Sequence, residues 1–119
     1  MSQAIADAEG FITVVDRKKD MIKTGGENVA SREIEEVLYQ HAAISEVAVI
    51  GMPDPKWIEA VTAVIVLREG QSLNEAGVLA HCAAYLSGFK IPKKVVFTEN
   101  LPRNASGKIL KRELRLSLL

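Results

Sequence analysis

Apolar positions along the chain change their period several times, and each change marks an element. Residues 10–15, GFITVV, form a β-branched run, and the charged stretch DRKKD interrupts it before MIKTGGEN, a short strand that ends in a Gly-Gly turn. Together these segments predict a small hairpin. From Ser31 the spacing becomes helical. Ile34, Val37 and Leu38 fall at i, i+3 and i+4, Glu33 and Glu35 lie in the first turn, and Ser31 is the expected N-cap. EVAVIG at 46–51 and AVTAVIVL at 60–67 read as two core strands on either side of the Pro-rich loop MPDPKW. Ser72 and Glu75 fit a capping box for a second helix that carries Leu79, Cys82, Ala83 and Leu86 on one face. SGFKIPKK is a basic loop halted by Pro92, VVFT at 95–98 is a short strand, and residues from Lys108 to Leu116 form the last helix.

This order predicts a small α+β domain: a central sheet of about three strands, flanking helices and an N-terminal accessory hairpin. Residues 1–9 show no periodicity and read as a leading tail, with residues 10–119 as the domain. A length of 119 residues suffices for one core but leaves little room for a large multi-substrate cleft. Fifteen basic residues balance fifteen acidic ones, which removes the charge argument for bulk nucleic-acid binding. No apolar run reaches transmembrane length and no signal-peptide pattern opens the chain, so the cytoplasm is the expected compartment. The single cysteine, Cys82, has no disulfide partner and reads as a small buried hydrophobe, and His41 and His81 lack metal-ligand spacing, so no metal site is expected.

Three polar stretches are candidates for chemistry. LPRNASGKIL, residues 101–110, places Lys108 directly after a glycine. It is not a phosphate-binding loop of the Walker type, because Pro102 and Ile109 stand where that loop needs Gly and Ser or Thr. Two readings stay open: a lysine that faces solvent, or a cation presented by the polar turn of Asn104, Ser106 and Gly107 to another domain's active site. In the second stretch, VVDRKKDMIKTGGENV, the charges suit a solvated hairpin, yet Gly25 and Gly26 would also let backbone approach a thin ligand. Third, Trp57, Phe89, Lys90, Lys93 and Lys94 read either as core aromatics beside surface lysines or as rings and cations for a nucleotide.

Taken in order, DRKKDMIKTGGENVASREIEEVL, EVAVIGMPDPKWIEAVTAVIVL and LPRNASGKILKREL resemble the C-terminal domain of the adenylate-forming superfamily of acyl-CoA synthetases, luciferases and peptide-synthetase adenylation domains. The likeness runs from Asp7 to Leu114, and the GGEN hairpin and Trp-bearing loop are most similar to those of fatty- or aryl-acid CoA ligases. The resemblance implies a two-step reaction in which an acid and Mg-ATP give an acyl-adenylate and pyrophosphate, and CoA then gives the thioester and AMP. It also implies a much larger N-terminal adenylation domain that holds most of the ATP and Mg contacts and the acid pocket, and a small C-terminal domain that rotates between steps.

Residue by residue, the resemblance assigns Lys108 to catalysis of adenylation, where its charge would stabilise the transition state at the ATP α-phosphate. Lys19 takes the hinge position and Arg17 the position that holds the ribose hydroxyls. Gly25 and Gly26 lie on the hairpin that closes the pantetheine tunnel, and Trp57, Phe89 and Lys93 match positions that contact the CoA nucleotide. Ile91 stands where some aryl-CoA ligases carry an arginine. The lysine position is also one where relatives are switched off by acylation. On this reading the isolated chain is inactive. The alternatives are a free-standing module that docks in trans on an adenylation domain, or one that serves a carrier protein in place of CoA.

Overall fold

The computed structural model describes residues 21–119. The tail at 1–9, the strand expected at 10–15, Arg17 and Lys19 lie outside the described residues. A first hairpin pairs β1 (Met21–Thr24) with β2 (Glu27–Ala30). Its turn is Gly25 and Gly26, with φ of 58° and 87°, the left-handed pair that a tight two-residue turn of this kind needs. Helix α1 (Ser31–Tyr39) follows at once, then the long antiparallel pair β3 (Ile44–Asp54) and β4 (Ile58–Leu67). Helix α2 (Glu75–Ala83), a 3-10 turn at Gly88–Lys90, β5 (Lys94–Phe97) and α3 (Lys111–Ser117) complete the order.

The sheet is larger than the three strands expected, because the hairpin is part of it. β4 is the centre: β3 runs along one side, while the other side is shared by β1, where Thr24 faces Ile58, and by β5, parallel to Thr62–Ile65. Alternation along β3 and β4 sorts their side chains into two cores. Val47, Val49, Val61, Ala63 and Ile65 meet Ile34 and Leu38 of α1 and Val78 and Cys82 of α2. Ala48, Ile50, Met52 and Val64 meet Leu101, ahead of the last helix, and Leu114 of α3 on the opposite face. Among the described residues no helix is long and apolar enough to cross a membrane.

Several local expectations are corrected. Ala30, not Ser31, is the N-cap of α1; Ser31 is buried and its Oγ accepts a hydrogen bond from Lys111 Nζ at 3.1 Å, so the hydroxyl serves a tertiary contact. Asn74 rather than Ser72 caps α2, its Oδ1 accepting from the Gly77 N–H at 2.8 Å. The inward face of α2 is Val78 and Cys82, continued by Leu86 beyond the helix end, while Ala83 is exposed. The first half of the loop MPDPKW is strand: β3 continues to Asp54, and the tight turn is confined to 55–57.

The outer edge of β3 is closed by α1. Glu35 Oε2 accepts from the Val49 N–H at 2.9 Å and Tyr39 Oη accepts from the Val47 N–H at 3.3 Å, which blocks the addition of a further strand there. Glu35 also meets Lys111 Nζ at 2.8 Å, so one carboxylate joins α1, β3 and the start of α3.

Burial pushes the Cys82 thiol up to about 11. An unfolded chain releases that proton near pH 8.5, so above this point the unfolded state binds fewer protons than the folded state and stability falls as pH rises. The urea midpoint, measured from pH 8 to pH 11, is expected to fall more steeply in the parent protein than in Cys82→Ala. Equal slopes would contradict the burial argument.

Candidate functional site

Lys108 lies in a tight turn ahead of α3, not in the first helical turn as expected. Arg103 and Ile109 form an antiparallel bridge at its base, and Gly107, with φ of 86°, completes the reversal. The Asn104 side chain organises the turn from within. Its Oδ1 accepts from Ser106 N at 3.0 Å, Ser106 Oγ at 2.8 Å and Lys108 N at 3.0 Å, while Asn104 N donates to Lys108 O at 3.0 Å. Both backbone groups of Lys108 are thereby fixed, although its side chain is exposed. Arg103 closes the turn from the base: Nη1 donates to Gly107 O and Nη2 to Glu46 Oε1, each at 2.6 Å.

A second cluster forms where the β1–β2 turn meets the β3–β4 turn. Asp54 Oδ1 accepts from Lys56 N at 2.8 Å and Trp57 N at 3.0 Å, which sets the β3–β4 turn. Ile58 then takes φ of 71°, a strained conformation for a β-branched residue, with its side chain 65% exposed. Gly25 N donates to Trp57 O at 2.8 Å, and a Cβ at Gly25 would stand 2.9 Å from Trp57 Cε3. The left-handed backbone and the indole therefore both favour glycine there. At Gly26 space is open and the positive φ alone sets the residue type. Lys93 Nζ lies 4.5 Å and Lys56 Nζ 5.2 Å from the Trp57 ring centroid.

Of the residues singled out from the sequence, the structure thus brings Gly25, Gly26, Trp57 and Lys93 together. Phe89 sits in the 3-10 turn, 38% exposed, with its ring 6.0 Å from Lys90 Nζ. Lys90 itself pairs with Glu33 at 3.0 Å, so that cation is engaged by α1. Such a half-buried aromatic face flanked by ammonium groups can take a purine ring and its phosphates.

The two clusters stand at opposite ends of one hairpin. Glu46, which anchors the Lys108 turn, is near the start of β3, and Asp54, which anchors the Trp57 turn, is its last residue. At the rise of an extended antiparallel strand, those anchors are on the order of 27 Å apart. Sequence reading singled out Lys108, its polar turn with Asn104, and the Gly25 turn, but missed Arg103, Glu46 and Lys111. Asn-x-Ser-Gly is a legible turn signal, whereas the ion pair of Arg103 with Glu46 crosses 57 residues and leaves no local signature.

Residues 33–108 match the AMP-binding enzyme C-terminal domain family. The chain is 49% identical over 109 residues to the long-chain-fatty-acid–CoA ligase FadD13 of Mycobacterium tuberculosis, covering 92% of this chain and 22% of that protein. It is also 49% identical over 109 residues to a 2-succinylbenzoate–CoA ligase of Bacillus cereus, with the same coverage. Among solved structures, apo MatB from Rhodopseudomonas palustris superposes with a TM-score of 0.82 at 44% identity, over 85% of this chain and 20% of that one. The chain therefore spans about a fifth of the length of these relatives, and it belongs to the AMP-binding enzyme C-terminal domain family, whose relatives here are acyl-CoA ligases.

Proposed function

We propose that this chain is the mobile C-terminal domain of an AMP-forming acyl-CoA ligase, inactive alone, which serves the two half-reactions with its two ends. The observation that carries this reading is the separation of the Lys108 turn from the Trp57 and Gly25 cluster by the length of β3. Two sites so far apart on one packed hairpin cannot enter the same small active site together, so the domain must turn to present each. Rotation about Lys19, in the segment that precedes β1, supplies that motion, and Arg17 holds the ribose hydroxyls.

Lys108 acts in adenylation. Its ammonium, on a backbone fixed by Asn104, reaches the α-phosphate of ATP held by the larger domain and offsets charge that develops as the acid carboxylate attacks. Preorganisation of the turn limits the entropy lost when the cation docks. ATP and acyl-adenylate binding by relatives supports this chemistry: MatB has been solved with ATP bound, and the o-succinylbenzoate CoA synthetase of Bacillus subtilis with its acyl-adenylate.

The other end acts with CoA. Trp57 offers a ring face to the adenine, Lys93 and Lys56 offer charge to its phosphates, and Phe89 extends the apolar border. The Gly25–Gly26 turn lines the passage for the pantetheine arm, where a side chain at Gly25 would both strike Trp57 and narrow the route. Acid selection belongs to the larger domain, and both CoA and a phosphopantetheine-bearing carrier protein present the thiol chemistry this end would meet.

Two variants of the full-length ligase test the division of labour. Lys108→Ala is expected to slow adenylate formation by about 10²–10³-fold, as for loss of one transition-state donor, and to leave thioester formation from supplied acyl-adenylate unchanged. Gly25→Ile is expected to do the reverse, with acyl-adenylate accumulating and CoA transfer lost. Rates are read separately by pyrophosphate release and by thioester formation. Equal loss of both half-reactions in either variant would contradict the assignment of that end.

A further inference from the structure

The bonds of Asn104 fix the shape of the Lys108 turn but not its direction, since every one of them stays within residues 104–108. The turn leaves the domain from the buried Leu101 and returns through the half-buried Ile109 to the buried Leu114, so its flanks are anchored while its tip extends into solvent. A cation that must meet a phosphate on another domain needs a defined angle as well as a defined shape, because a displacement of about 1 Å can cost on the order of 100-fold in rate.

Arg103 supplies a link in the required direction. Its guanidinium spans from Gly107 O, one residue before Lys108, to Glu46 Oε1 on β3, with both contacts at 2.6 Å. The fork is rigid and planar, so two donors of one group fix the turn relative to the strand, which a single flexible ammonium would not do.

Glu46 is where this link needs it because of an irregularity in β3. The β3–β4 register shifts between Ile44 and Glu46. In a regular strand residues two apart share a face, yet Ile44 is buried in the core beneath α1 and α2 while Glu46 lies in phase with Ala48 and Ile50 on the α3 face. The bulge at Ser45 resolves the conflict: it keeps the isoleucine in one core and puts the carboxylate under the Lys108 turn.

We infer that Arg103 and Glu46 are positioning residues for Lys108, an ion-paired strut that sets the angle at which the turn leaves β3. The inference rests on the adenylation role proposed above for Lys108. Both partners of the strut are more than a third exposed or close to it, at 38% and 34%. Pairs with this exposure add little to folding stability, so loss of the strut should be felt in catalysis rather than in folding.

The test uses the full-length ligase with Arg103→Met, Arg103→Lys, Glu46→Gln, Lys108→Ala and the double variant Arg103→Met/Lys108→Ala. Arg103→Met and Glu46→Gln are expected to lower kcat for adenylate formation about 10–100-fold. KM for ATP should stay within about twofold, and the unfolding midpoint and thioester formation from supplied acyl-adenylate should be unchanged, because the altered groups touch neither substrate. Arg103→Lys should recover part of the loss. In the double variant the Arg103 change should add nothing to the loss caused by Lys108→Ala, the pattern of a residue that acts through another. If Lys108→Ala slows adenylation but Arg103→Met and Glu46→Gln retain the parent rate, the strut role is overturned and the Lys108 reading survives. If Lys108→Ala leaves adenylation intact, the Lys108 reading falls and takes the strut with it. A matched loss in both half-reactions with a lowered unfolding midpoint would make the pair structural and overturn the inference.

Discussion

Everything in this domain is referred to β4. The strand is buried on both faces and paired along both sides, with β3 on one and β1 and β5 on the other. Its central residues, Ala60 to Ile65, are almost wholly excluded from solvent. That arrangement requires two separate hydrophobic layers, one of α1 and α2 and one of α3 with the segment that leads into it. The two layers hold the β3–β4 hairpin from both faces like a beam, and the Lys108 turn and the Trp57 cluster are attached near its two ends.

Polar contacts then decide how the outlying pieces attach to the beam. Glu35 is the clearest case, since its carboxylate accepts an edge N–H of β3 and pairs with Lys111, whose ammonium also reaches Ser31. Lys111 and Glu35 are each less than a fifth exposed, so removal of either charge would leave its partner poorly solvated. The start of α3 is thus held three residues after Lys108, while Arg103 and Glu46 hold the turn five residues before it. At the other end Asp54 and the Gly25–Trp57 contact perform the corresponding attachment through backbone groups.

Much of this was legible in the sequence wherever periodicity and turn chemistry act locally. Ile34 and Leu38 of α1, the runs that became β3 and β4, and the Gly-Gly turn follow from spacing and residue type, and the ordered motifs carried the family. Misreadings share a physical cause: tertiary contacts override local preference. Ser31 has the chemistry of a cap but is drawn inward by Lys111. Lys108 lies next to a helical pattern but is held out of it by Asn104 and the Arg103–Ile109 bridge. The hairpin is continuous with the sheet because Thr24 pairs with Ile58, a contact across more than thirty residues that no window of sequence displays. The bulge at Ser45 was hidden for a related reason, since it is defined by the partner strand.

The central claim, that one stiff domain presents its two ends alternately, is tested most directly by distance. Spin labels at Ala105→Cys, in the Lys108 turn, and at Glu27→Cys, beside the Gly25 turn, would each be paired with a fixed label on the larger domain of the full-length ligase. The buried Cys82 leaves these sites as the reactive thiols among the described residues. With ATP and acid bound, the label at 105 should be close to the active site and that at 27 remote. With an acyl-adenylate analogue and CoA the two distances should exchange. Distances that stay the same in both liganded states would contradict the account.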